Sequence, residues 1–424
     1  VKYAIIIADG AADKPIEGLD GQTPLEAAST PNMDQVGISG RLGTAQTTPA
    51  GWLAGSDVCT MSLLGYDPEV YHTGRAPLEA AALGVPMGAS DWIFRVNLVT
   101  VGADGTPDEG LMLDHSAGAI SDEEARALVA GLHAYWSEHE PELMQQLRLY
   151  PGVSYRNILV DASGRGYGGV KTVPPHEIPR QRWDLHLPSG TGAANASADV
   201  LNRLMELSAQ YLPMHPVNVS RAGRGQRAAN MAWAWGQGTR PGMPSFHSRF
   251  GLRGAMTTAV DLLAGIASLI GWTRLVVPGA TSYHDNDYAG QGRAACAALE
   301  THDIVCCHVE APDEMSHQGD WRTKVAAIEA IDREVVGPVV AKLRSFGDDQ
   351  WRVLILPDHY TLCATRKHDA TPVPFAMAGA MVRGHRTGPF TEANAAEADL
   401  HIERGHELME FFLRSGLPSV RQRA

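Results

Sequence analysis

Three stretches dominate what this chain can fold into: YAIIIADG at its start, DIVCCHVEAPD near residue 310 and WRVLILPDH near residue 355. Each is a continuous apolar run, rich in β-branched residues and closed by an acidic one. Strands read this way when both faces are buried. Elsewhere the apolar positions of Thr257–Leu269 and Lys324–Leu343 recur at spacings of three and four, which predicts amphipathic helices. Buried strands alternating with such helices predict an α/β fold, a mostly parallel sheet sandwiched by helices.

The middle of the chain differs in texture. Between about residues 91 and 248 polar turns, an acidic helical stretch at Ser121–His133 and Gly/Pro-rich segments replace the core pattern. This predicts a core domain built from 1–90 and 249–424, with 91–248 inserted as an α+β cap domain. The segment TRPGMPSFHSRFG at its end reads as a hinge or linker. At 424 residues and 44% hydrophobic content the chain can bury two such cores.

Charge and cysteine usage narrow the partners. A net charge of −13 with no basic run argues against nucleic acid and membrane surfaces. The apolar opening Tyr3–Ala8 is shorter than a signal-peptide core, and no stretch approaches the roughly 20 apolar residues of a membrane span. Five scattered cysteines, Cys59, Cys296, Cys306, Cys307 and Cys363, form no CxxC pair, against a disulfide framework or a thiolate zinc site. A cytoplasmic protein is expected; the oligomeric state is not legible in the sequence.

The acidic ends of the three runs carry the chemistry. Asp9, Asp313 and Asp358 each close a strand, and in an open parallel sheet the carboxyl ends of strands share the edge where ligands bind. His317 follows Asp313 by four residues, His359 adjoins Asp358, and His368 comes ten residues later in KHDATPVPF. Any one of these is an ordinary turn or surface residue. Together they are three carboxylates and three imidazoles with no thiolate, a donor set suited to divalent Mn, Zn or Mg.

A nucleophile is available in PAGWLAGSDVCTMSLLGYDP. Small Gly55 permits close approach, and the apolar spacing after Asp57 places Ser56 at a helix N-terminus, where serine is also a common cap. A helix terminus contributes only about 0.3–1 kcal/mol, whereas a divalent ion lowers a bound water by roughly eight pKa units. Activation of Ser56 near neutral pH therefore calls for a metal.

These residues sit in a longer series of motifs: IIIADGAADKPI, TPLEAASTPNMD, GSDVCTMSLLGYDP, YHTGRAPLEAA, FRVNLVTV, LMLDHSAGAIS, WAWGQG, GAMTTAVDL, VPGAT, HVEAPDEMSHQGD and ILPDHYTLCATRKHDATPVPF. In this order they resemble the archaeal-type branch of the cofactor-independent phosphoglycerate mutases, within the alkaline phosphatase superfamily. The resemblance implies an alkaline phosphatase-like core and two divalent metal ions. One ion would be held by Asp313, His317 and His368, the other by Asp9, Ser56, Asp358 and His359. It implies a small phosphorylated substrate, 3-phosphoglycerate converted to 2-phosphoglycerate and back through a phosphoserine at Ser56, with no need of bisphosphoglycerate. Arg75 in HTGRAP is the implied phosphate clamp, a task suited to a guanidinium, and His115 in LDHSAG a candidate for proton transfer.

One departure bears on the substrate. After VPGAT the resemblance implies a segment like YEGKA, but this chain has YAGQGRAA, so Gln291 or Arg293 stands where a phosphate-facing lysine is implied. GSDVCTMSLLGYDP also resembles a subgroup of proposed homoserine kinases. A homoserine kinase-like phosphotransferase and a metal-dependent phosphatase are the alternatives; a non-catalytic metal-stapled binding protein would have no need of Ser56. Gly223 and Gly225 lack the preceding strand of a dinucleotide loop. Trp233 and Trp235 are expected to pack inside the cap, and His401 and His406 to lie on an amphipathic terminal helix.

Overall fold

The three apolar runs form adjacent strands. In the computed structural model, which describes residues 1–103, 105–384 and 386–414, Lys2–Ala8 lies between Ile304–Val309 and Trp351–Leu356 and is parallel to both. Ile5, Ile6 and Ile7 are at most 1% exposed. Burying each is worth about 1.5–3 kcal/mol, which is why the run carries no polar face.

The full sheet runs His401–Ile402, Arg41–Ala45, Val373–Gly379, Trp351–Leu356, Lys2–Ala8, Ile304–Val309, Gly254–Thr257 and Thr273–Arg274. Only the two pairings made by Val373–Gly379 are antiparallel, so the sheet is mainly parallel. Helix Tyr288–Ala298 packs on Ile304–Val309, Gly337–Arg344 on Trp351–Leu356 and Pro31–Ser39 on Val373–Gly379. The fold is the expected α/β layering.

The chain divides into two compact units, Val1–His72 with the residues from Met243 on, and Thr73–Gly242. The boundaries differ from the expected 91 and 248. Helix Arg75–Ala82 packs on strands Trp92–Val101 and Met231–Thr239, so residues 73–90 go with the second unit. At the other end Phe246 is fully buried against Trp272, 4.9 Å between rings, which draws most of the expected linker into the first unit as the short helix Phe246–Phe250.

The second unit is built on antiparallel pairings of Trp92–Val101 with Met112–Asp114, Arg156–Asp161 and Met231–Thr239, and of Arg156–Asp161 with Leu147–Val153. Its core holds Trp233, whose Nε1 donates to Val173 O, and Trp235, whose Nε1 donates to Asn97 Oδ1. Helix Asp122–His139 is capped by Ser121, and three acidic residues in its first turn suit the dipole.

Three other expectations shift. Thr257 ends a strand, and the helix expected from it begins at Asp261. The helix over 324–343 runs Trp321–Ile331 and Gly337–Arg344, joined by a π-helical turn at Asp332–Val336. His401 lies on the sheet's edge strand and His406 just ahead of the terminal helix Glu407–Arg414, because the apolar face of that helix, Leu408, Met409, Phe412 and Leu413, starts only there. Gly223 ends helix Pro216–Gly223.

Candidate active site

Asp9 and Asp358 leave the carboxyl ends of neighbouring strands, as their position after the apolar runs implies. Asp313 differs. The strand before it ends at Val309, and Asp313 sits in the first turn of helix Ala311–Gln318. His317 therefore lies one helical turn on, on the same face, with Nε2 3.1 Å from Asp313 Oδ2. His368 arrives from a hairpin in which Lys367–Asp369 pairs with Tyr360–Leu362 and His368 stands opposite Thr361. Gly10 makes the approach possible: at φ +59, a Cβ on it would come within 2.6 Å of Thr361 Oγ1 and 2.7 Å of Asp313 Oδ1.

Ser56 is the first residue of helix Ser56–Leu63, Gly55 is its N-cap, and no side chain caps it. Its hydroxyl is thus free of the ordinary serine role at a helix start and lies 3.3 Å from His359 Nε2. Two bonds hold the segment leading to it. Thr47 Oγ1 donates to Asp358 O at 2.7 Å, and Ala54 O lies 3.0 Å from His368 Nδ1.

The hydrogen-bond pattern leaves lone pairs facing one region. Asp358 Oδ1 accepts from the backbone N–H of Gly10 and His359 at 3.3 and 3.0 Å, while Oδ2 is buried without a partner among the described residues and lies 3.4 Å from His359 Nε2. Asp9 Oδ1 is likewise buried and unpartnered, 3.5 Å from the same nitrogen. The imidazoles are turned to match. Nδ1 of His317, His368 and His359 faces Arg366 O at 2.9 Å, Ala54 O at 3.0 Å and Thr361 Oγ1 at 3.1 Å. The two carbonyls can only accept, and the Thr361 hydroxyl donates to Asp313 Oδ1 at 2.5 Å, so each Nδ1 carries a proton and each ring, when neutral, offers its Nε2 lone pair. His317 Nε2 and His368 Nε2 are 3.0 Å apart.

Buried acceptors without donors are costly, and a divalent cation is the group that satisfies carboxylate and imidazole lone pairs together. Three groups have metal-holding spacing: Asp9, Asp358 and His359; Asp313, His359 and His368; and Asp9, His308 and Glu310, which shares Asp9 with the first. His317 joins the second of these through its contacts with Asp313 and His368. The residues present fit two divalent ions.

Electrostatics point the same way. Burial, with the charges of Asp358, Glu310 and Asp313, holds the Asp9 carboxyl well above its usual range. Burial also pushes Asp313 up, but hydrogen bonds from His317 and His368 outweigh it and hold that carboxyl well below. His317 is raised to about 9 by its bond to Asp313. Crowded carboxylates disfavour one another's ionisation, and added positive charge relieves them.

A family model described as 2,3-bisphosphoglycerate-independent phosphoglycerate mutase matches residues 38–218. A protein of that name from Methanothrix thermoacetophila is 44% identical over 413 residues, 97% of this chain and 100% of that one. The chain belongs to the 2,3-bisphosphoglycerate-independent phosphoglycerate mutase family. Among solved structures, a cofactor-independent phosphoglycerate mutase from Thermoplasma acidophilum matches with a TM-score of 0.67 and 26% identity, covering 97% of this chain and 98% of that one. A Pyrococcus horikoshii protein matches with a TM-score of 0.79 and 27% identity, covering 97% and 96%.

Not every residue expected to meet substrate joins this cluster. Where the resemblance to the phosphoglycerate mutases implies a lysine, Gln291 is buried, and its Nε2 donates to His308 O at 2.9 Å and Thr257 Oγ1 at 3.2 Å. Its amide is used inside the fold. Arg293 is on the exposed side of the same helix, its side chain 73% exposed and 3.6 Å from Asp287, so its expected substrate contact has no support in this geometry. Arg75, first residue of helix Arg75–Ala82, and His115, whose ring meets those of Tyr155 and His176 edge-on, belong to the Thr73–Gly242 unit.

Two residues missed in the sequence adjoin Asp9. His308 Nε2 lies 2.8 Å from Asp9 Oδ2, and Glu310 Oε2 is 3.8 Å from the same nitrogen and unpartnered among the described residues. Burial pushes His308 down to about 4; burial first, then Asp313, pushes Glu310 up to about 8. The available signal was a histidine inside an otherwise apolar strand, where an unpaired ring would be costly. Among the described residues no helix is long and apolar enough to cross a membrane.

Proposed function

We propose that the chain interconverts 3-phosphoglycerate and 2-phosphoglycerate without 2,3-bisphosphoglycerate, Ser56 carrying the phosphoryl group between the two hydroxyls. The observation that carries this reading is the placement of the uncapped Ser56 hydroxyl beside the unsatisfied lone pairs of Asp9, Asp358 and His359. Asp313, His317 and His368 would hold one divalent ion, and Asp9, Ser56, Asp358 and His359 the other. When bound, the ions supply positive charge that stabilises the phosphoryl oxygens and lowers the pKa of the serine hydroxyl.

The chain's own residues supply position. The helix start and the Ala54–His368 contact hold Ser56 Oγ, and its attack forms an Oγ–P bond as the bond from phosphorus to the glycerate oxygen breaks. The serine proton is balanced by the one the released glycerate oxygen takes up. Attack by the other glycerate hydroxyl then reverses these changes and restores Ser56. Arg75 and His115 are proposed as substrate contacts, a bidentate phosphate clamp and a proton-transfer group respectively.

The test incubates purified protein and Mn²⁺ with 3-phosphoglycerate in the absence of 2,3-bisphosphoglycerate, beside a reaction with ATP and homoserine and one with a simple phosphate ester. Formation of 2-phosphoglycerate is the expected result. Consumption of ATP with phosphorylation of homoserine, or hydrolysis of the ester alone, would overturn it.

A further inference from the structure

The imidazoles around the cluster are of two kinds. Those of His317, His359 and His368 turn Nδ1 to an acceptor and Nε2 to the cluster, but His308 turns its Nε2 to a carboxylate oxygen and its Nδ1 to a threonine hydroxyl. We infer that His308 is a positioning residue that, as the Nε2–H tautomer, fixes which oxygen of Asp9 faces the cluster. The inference rests on the reading of Asp9 as a metal ligand.

When a bound cation keeps Asp9 ionised, the carboxylate only accepts, so the 2.8 Å contact between His308 Nε2 and Asp9 Oδ2 puts a proton on Nε2. Nδ1 of the neutral ring must then accept, and it faces Thr258 Oγ1 at 3.0 Å. That hydroxyl accepts the backbone N–H of Val260 at 3.0 Å and has its own hydrogen to give to His308. The chain Val260 N–H, Thr258 O–H, His308 Nε2–H, Asp9 is complete, with every donor matched to an acceptor.

The ring has little freedom to leave this arrangement. His308 is 0% exposed in a strand paired on both sides, and Gln291 ties its carbonyl from the covering helix. With Oδ2 held by His308, the remaining oxygen Oδ1 is the unpartnered one beside His359. Without that bond the carboxylate would be free to turn, and Glu310, 3.8 Å from the same nitrogen, would compete for the donor. Partners that orient a metal-binding carboxylate typically change affinity by about 10–100-fold.

The experiment titrates Mn²⁺ into metal-free protein by calorimetry and reads the His308 tautomer from imidazole ¹⁵N chemical shifts of the protein loaded with diamagnetic Mg²⁺. His308→Leu, which removes the donor, should weaken one of two ions by about 10–100-fold with stoichiometry unchanged. His308→Gln keeps an N–H near the position of Nε2 and should retain most of the affinity. Thr258→Val, a milder change outside the strand, should also weaken binding, and Thr258→Ser should restore it. Equal losses in His308→Gln and His308→Leu, an Nδ1–H tautomer, or loss of a third ion that His308 itself ligates with Glu310 would overturn the inference. Asp9→Asn separates the two levels. If it loses one ion while His308→Leu changes nothing, the inference alone fails; if it keeps both ions, the reading of Asp9 fails with it.

Discussion

Ser56 Oγ and His359 Nε2 lie 3.3 Å apart although 303 residues separate them in the chain. The contact joins the start of a helix to the loop after a central strand, and it places the hydroxyl where Asp9 Oδ1 and Asp358 Oδ2 also point. Ser56→Ala removes the acceptor oxygen while leaving those three groups. The variant should fold with an unchanged melting temperature, take no radiolabel from phosphoglycerate, and lose roughly 10³–10⁶-fold in kcat. Mutase turnover surviving in this variant would refute a phosphoserine mechanism.

Gly10→Ala tests the close approach at the strand end. The left-handed backbone alone costs about 1–2 kcal/mol, and the new Cβ would also overlap Thr361 Oγ1 and Asp313 Oδ1. The control is Gly84→Ala, at φ +67 with nothing within 4 Å, which bears only the backbone cost. Gly10→Ala should lose more stability in urea than the control and should also weaken Mn²⁺ binding. Equal effects of the two substitutions would mean that the crowding is absent.

Metal binding should release protons. His317, raised to about 9 by Asp313, is protonated at neutral pH in the metal-free protein, and its Nε2 must be bare to ligate. Affinity should therefore climb as pH rises toward 9 and flatten above it. Calorimetry in buffers of different ionisation heats counts the protons, and His317→Ala should reduce the count at pH 7. The sign for stability is opposite: the His317–Asp313 contribution to the metal-free fold is complete below about pH 6.5 and is lost as pH passes 9.

Lys324 is fully buried, and its Nζ donates to Asp13 Oδ2 at 2.9 Å and Thr361 O at 2.8 Å. It joins a helix to the loop after the first strand and to the residue that bonds Asp313. Lys324→Met should cost about 3–5 kcal/mol, because it strands the Asp13 charge in the interior. Adding Asp13→Asn should recover part of that loss. Denaturant midpoints of the single and double variants measure it, and a single variant as stable as the parent would show the pair to be dispensable.

Much of this molecule is written locally. The three doubly buried strands are legible because no polar face interrupts YAIIIA, IVCCHV and WRVLIL, and chain adjacency alone places Asp9 and Asp358 at their ends. Ser56 at a helix start follows from helical spacing, whereas Asp313 and His317 read only as near neighbours after a strand, and the helix Ala311–Gln318 that pairs them emerged with the structure. The order of motifs was sufficient to indicate the family. None of these depends on knowing what lies across the fold.

Tertiary structure decided the rest, for the physical reason that hydrogen bonds and packing join atoms without regard to sequence distance. His308 looks like a stray polar residue until Asp9, 299 positions away, supplies its acceptor. The Nδ1 protons of His317 and His368 are assigned by carbonyls 49 and 314 residues distant. Residues 73–90 join the second unit because strands Trp92–Val101 and Met231–Thr239 offer helix Arg75–Ala82 a surface to bury, which its own sequence does not record. Local patterning selects the donors; only the packed fold determines which atom of each faces the cluster.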